Sequence, residues 1–204
     1  MKKLFYLTVL IITLLLAITA GYAYMIRYDG PYEGRIIDAE TKQPIAGVVV
    51  LGVWYKEEPN VAGATSTFYD AKETVTDSKG EFKFPGLGIK IFSYVGTMNF
   101  VIFKKGYEYL GLWPWESLKE DVILNRMIRW EGDKAIILLK KLTMEERKKK
   151  GTPDFYIGIR YDERENIHHT CLPRNVKLLP EEVNKELIEQ GREPYDLEGG
   201  RCEK

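Results

Sequence analysis

The chain has 204 residues, enough for one domain with an extension or for two small domains. Its 30 Lys+Arg balance its 30 Asp+Glu, so the formal net charge is zero. That balance excludes nucleic acid as the expected partner, because binding a polyanion needs a basic excess to displace counterions.

Lys2 and Lys3 precede LFYLTVLIITLLLAITA, and no charge appears until Arg27. An apolar run of this length can cross a bilayer core of ~30 Å as one helix. The small residues around Tyr22 also suit a signal peptidase. Residues 1–26 are therefore expected to be a signal peptide or a retained N-terminal membrane anchor. Either role exports the remainder to the periplasm or cell envelope, with membrane contact through residues 4–26 if they are uncleaved.

Arg35 to Tyr55 reads as two strands and a turn. Asp38, Thr41 and Pro44 supply the turn chemistry. The β-branched run around Val48 and Val50 suits a strand buried on at least one face. Residues 57–71 have loop composition. Thr74–Thr76 reads as a short strand, and Asp77-Ser78-Lys79-Gly80 as a hairpin turn. Phe82 and Phe84 are two apart and so share a face.

Thr97 to Leu110 holds another strand, and a Trp- and Tyr-rich connection follows. Lys134 to Leu142 is an apolar run of strand length, bracketed by Gly132-Asp133 and Thr143. Thr143 and Glu146 fit a capping box for a short charged helix that stops at Gly151. Pro180 to Gly191 reads as a second helix, with Pro180 at its first position. Val183, Leu187 and Ile188 form its apolar stripe. Many short strands without interspersed helices predict a mainly-β sandwich over 32–142, followed by a helical extension over 143–204.

Three motifs carry a family resemblance. They are G-R-I-I-D-x-x-T-x-x-P-I-x-G-V-x-V from Gly34, T-D-x-x-G-x-F-x-F from Thr76, and F-K-K-G-Y ending at Tyr107. Together they resemble the carboxypeptidase regulatory-like domain. The resemblance implies a transthyretin-like sandwich of about seven strands and a non-catalytic module attached to larger assemblies. The Asp77–Gly80 turn would then be the family's hairpin corner. Lys42 departs from the pattern, standing where the family usually has Gly. Residues 108–131 read as an insertion, and nothing in the family matches the tail after 143.

The chemistry-bearing residues are few. His168 and His169 are the only histidines, so the ligand set of a zinc peptidase is missing. A surface loop, with Cys171 and Cys202 in one disulfide, accounts for HHTC. Asp70, Asp77 and Glu81 lack the dense alternation of a calcium loop. Tyr107, Tyr109, Trp113 and Trp115 are the candidate ligand-binding residues, since flat rings stack on sugars or anchor a partner. No enzyme, cofactor or metal is expected. The expected function is a protein-binding or assembly module of the cell envelope. The alternative is a carbohydrate-binding protein using residues 107–115, so the partner is an envelope protein or a polysaccharide.

Overall fold

The computed structural model describes residues 6, 12, 26–60, 63–91, 94–119, 127–162, 167–199, 201 and 202. The strands are β1 (Ile26–Asp29), β2 (Tyr32–Asp38), β3 (Val49–Asn60), β4 (Gly63–Val75), β5 (Glu81–Phe84) and β6 (Gly88–Ile91). After these come β7 (Asn99–Phe103), β8 (Leu110–Pro114), a 3-10 turn at Glu116–Lys119, β9 (Ile128–Glu131) and β10 (Lys134–Leu139). The tail holds α1 (Met144–Lys150), β11 (Gly158–Asp162), β12 (Ile167–Cys171) and α2 (Leu178–Glu189). The protein is thus mainly β with two C-terminal helices.

Two four-stranded sheets, ordered β5-β2-β10-β9 and β4-β3-β7-β8, carry the fold. Two antiparallel ribbons, β1-β6 and β11-β12, flank them. β10 pairs parallel with β2, which joins the two ends of the strand region in the middle of one sheet. Ile36, Phe82, Phe84, Ile128, Ile137 and Leu139 of the first sheet share a core with Val50, Trp54, Phe100 and Ile102 of the second.

The unbroken apolar run at Val48–Trp54 has a physical reason. Val50 and Trp54 enter the core between the sheets, while Val49, Leu51 and Val53 enter a second core on the opposite face. Phe155, Ile157, Leu172, Val176, Leu179, Val183 and Leu187 of the tail complete that second core. A strand covered on both faces shows a continuous apolar run instead of alternation.

The Asp77–Gly80 corner is a backbone device. Asp77 Oδ1 accepts from the amides of Lys79 (2.9 Å) and Glu81 (2.8 Å). Gly80 has φ +72°, and an added Cβ would collide with the Ile36 carbonyl. Beside it the buried Thr76 hydroxyl accepts from Val48 N (2.9 Å) and donates to the Ile45 carbonyl (2.7 Å). That hydroxyl ties the hairpin to the start of β3. Lys42, at the expected glycine position, has a φ of 60°.

Several expectations are corrected. Residues 57–60 and 63–71 are not a loop: β3 and β4 continue through them, registered from Val49↔Val75 to Asn60↔Gly63. Backbone pairing holds that arm, so its polar composition does not forbid strand. The fold begins before residue 32, because β1 pairs with β6. The stretch 108–131 contributes β8 and β9 to the two sheets. Nine strands, β2 to β10, stand among the described residues of 32–142, against about seven expected. The tail is not only helical, since β11 and β12 form a ribbon there.

α1 carries the expected capping box, with Thr143 and Glu146 bonding reciprocally. α2 begins at Leu178, two residues before Pro180, and Ile188 is 62% exposed outside the buried stripe of Leu179, Val183 and Leu187. Its cap comes from far away. The Glu73 carboxylate of β4 accepts from the amides of Lys177 (2.6 Å), Leu178 (2.9 Å) and Leu179 (2.7 Å). A negative charge on the free amides of a helix N-terminus is favourable twice over, by hydrogen bonding and by the dipole. Glu73→Ala is expected to lower stability by about 1–2 kcal/mol, a cap-sized loss, read from the urea midpoint. A midpoint unchanged from wild type would show that the three bonds contribute nothing.

The expected membrane anchor over residues 4–26 is corrected as well. Among the described residues no helix is long and apolar enough to cross a membrane. Of residues 4–25 only Tyr6 and Ile12 are described, both in helical conformation, so the expected apolar helix lies outside the described residues. The expected exported location and membrane contact lose that support.

Candidate functional site

The four candidate aromatic residues do not form one platform. Trp115 is a core residue, 8% exposed. Edge-to-face neighbours surround it: Tyr32 at 5.4 Å, Phe100 at 5.8 Å, Trp130 at 5.9 Å and Phe82 at 6.2 Å. Tyr107 packs on the core between the sheets and bonds to the Asp38 carboxylate; burial, then that carboxylate, push its phenol upward in pKa. Tyr109 lies on the second core, edge-on to Phe103 at 6.4 Å, with the Lys150 ammonium 5.4 Å from its ring centre. Trp113 is 40% exposed on the edge strand β8. Three of the four rings are thus absorbed by packing, as large apolar rings usually are.

The other candidates also separate. His168 and His169 sit in strand β12 and not in a loop; their side chains lie outside the described part. Cys171 and Cys202 are bonded, with Cα atoms 5.0 Å apart. Asp77 serves the hairpin turn, Glu81 pairs with Lys134 at 2.5 Å, and Asp70 accepts from Ala71 N and Asn175. Among the described residues no group of three or more His, Cys, Asp or Glu could hold a metal ion.

A cleft of about 910 Å³ opens where Trp115 closes the end of the core. Its aromatic wall is Tyr28, Tyr32, Trp115 and Trp130, beside the Gly30–Pro31 turn into β2. Glu33, Glu116, Glu131 and Asp133 supply carboxylates, against the single ammonium of Lys134. Each element places its share for a local reason. Trp115 N donates to the Met98 carbonyl (2.8 Å), and this bond sets the ring across the core. Glu131 and Lys134 face each other across the tight β9–β10 turn. Lys134 is bonded to Glu81, and Lys83 bonds Glu33 at 2.5 Å and holds its carboxyl below the usual range. Among the described residues no cation pairs with Glu116, Glu131 or Asp133.

Behind the Tyr28 wall lies a buried polar hub that sequence reading missed. Asp29, 2% exposed, accepts from Tyr32 OH (2.7 Å), Trp54 Nε1 (2.9 Å), Leu87 N (2.9 Å) and Lys90 Nζ (3.2 Å). Lys90 also donates to the carbonyls of Val95 (3.2 Å) and Gly96 (2.9 Å). Burial pushes the Lys90 ammonium down in pKa, and the Asp29 charge opposes that shift. Burial and the bond to Asp29 raise the Tyr32 phenol far above its ordinary value. Isolated Asp and Lys in a sequence carry no mark of such pairing; the only local signal is an aspartate just before Gly-Pro-Tyr.

No family model, no curated protein and no solved structure matches the chain.

Proposed function

We propose that the protein is a non-catalytic binding module that engages a partner protein through the cleft beside Trp115. The single observation that carries this reading is the cleft itself, an aromatic wall bordered by carboxylates, of which Glu116, Glu131 and Asp133 pair with no cation among the described residues. Aromatic anchors with a polar rim are the usual composition of a protein-recognition patch. We further propose a transthyretin-like sandwich of the carboxypeptidase regulatory-like type. Its support is the Thr76–Phe84 corner, the two facing sheets and the left-handed backbone at Lys42.

The test is a photo-crosslinking residue at Tyr28, with Met144, exposed on α1, as control. A discrete covalent adduct from Tyr28, absent from Met144 and lost when Trp130→Ala is added, is the expected result. The same adducts from both positions would refute a localised binding face. A polysaccharide that quenches tryptophan emission, with the effect abolished in Trp113→Ala, would establish the carbohydrate reading on β8 instead.

A further inference from the structure

The cleft has a sign as well as a shape. The whole chain is neutral, with 30 basic and 30 acidic residues, yet this one depression collects four carboxylates and one ammonium. The ammonium of Lys134 is held by Glu81 and the carboxylate of Glu33 by Lys83, which leaves Glu116, Glu131 and Asp133 without a cation among the described residues. Carboxylates around aromatic rings repel anions and leave neutral ligands without a charge partner. They attract cations, which the ring faces stabilise further.

The neighbouring surface narrows the ligand. In the β1-β6 ribbon, Arg27 lies opposite Lys90 and Tyr28 opposite Ile89. The Asp29 hub draws Lys90 inward, while Arg27 stays exposed and the apolar side chains of Tyr28, Ile89 and Ile91 point out. Tyr28 is 64% exposed, Ile89 68% and Ile91 60%. Tyr28 belongs both to that apolar face and to the wall of the cleft. The apolar strip is therefore continuous with the acidic pocket.

We infer that the cleft receives the arginine side chain of a partner protein segment whose flanking apolar residues lie on Tyr28, Ile89 and Ile91. The inference rests on the reading of the protein as a binding module and names the chemistry of its partner. A guanidinium is the better fit than an ammonium, because its plane stacks on rings while its edge bonds carboxylates.

The test uses the full chain and three probes, followed by tryptophan emission and calorimetry. They are the capped pentapeptide Leu-Val-Arg-Val-Leu, the same peptide with neutral citrulline replacing arginine, and agmatine alone. The arginine peptide is expected to bind at least about tenfold tighter than the citrulline peptide, the worth of one desolvated cation–π contact. Rising salt and the Glu131→Gln/Asp133→Asn double variant should each remove that advantage. Both substitutions lie at an exposed turn, so folding is checked by an unchanged melting curve.

Equal affinity for the two peptides would overturn the cation inference and leave the binding-module reading standing. Agmatine binding as tightly as the peptide would replace the partner segment with a free small cation. An arginine preference untouched by the double variant would place the site elsewhere and overturn the inference. Binding of neither peptide overturns it too, and the Tyr28 crosslink then decides the broader reading on its own.

Discussion

Asp29→Ala is expected to destabilise the protein by about 3–5 kcal/mol, the loss typical of breaking one side of a buried ion pair. Four donors converge on this carboxylate, and all four lose that acceptor on its removal. Among them the Lys90 ammonium, 8% exposed, loses its counter-charge and keeps only the Val95 and Gly96 carbonyls. Lys90→Met should be milder. It leaves Asp29 with three neutral donors, and the methionine fills the space of the lysine stem. The measurement is the urea midpoint of both variants under one set of conditions. A larger loss for Lys90→Met than for Asp29→Ala would refute the view of Asp29 as the hub. Because Asp29 follows Tyr28 directly, the same substitution should loosen the apolar wall of the cleft.

The second large effect is expected at Arg147, which fastens the tail helices to the sheets. Its guanidinium is 9% exposed and makes two 2.7 Å bonds to Glu186 and one of 2.9 Å to Glu189. Glu186 in turn accepts from Gly106 N at 3.0 Å, so α1, α2 and the turn after β7 meet at one carboxylate. Arg147→Ala leaves Glu186 buried and short of a cation, a loss of roughly 3 kcal/mol. Hydrogen exchange should show it first as faster exchange in α1 and α2. Exchange that accelerates uniformly across the sheets would instead show that the tail and sheets do not open separately.

The acid response of this clamp follows from the same bonds. Arg147 and Lys105 hold the Glu189 carboxyl down to about 2, against an ordinary 4.5. Burial works against Glu186, but Arg147, Gln190 and Gly106 keep its carboxyl below the usual range. A depressed folded-state value stabilises above the ordinary carboxylate range and is lost as pH falls toward the folded value. The clamp's contribution to docking the tail should therefore be fully present at neutral pH and fade as pH falls between about 4.5 and 2, as Glu189 takes up its proton. Amide exchange in α2 measured down that range checks it.

What the sequence displays is local. The capping box of α1 spans Thr143 to Glu146, and the corner spans Asp77 to Gly80; each is written within a few consecutive residues. The β10 run was legible because its brackets are adjacent. What was hidden is non-local. Glu73 caps a helix 105 residues away, and Asp29 finds Lys90 across 61. The polar arm at 57–71 is held by backbone pairing, to which composition is blind. The aromatic cluster at 107–115 announced large rings without saying which way they face. Trp115 turned into the core, and the cleft formed beside it from residues of five separate elements.

β3 lying between two cores has a consequence for biosynthesis. Val49, Leu51 and Val53 wait for shielding from Leu179, Val183 and Leu187, which are synthesised much later. The sheet holding β3 must therefore keep one oily side bare while the intervening residues are made, and a nascent chain in that condition is a natural client for a holding chaperone.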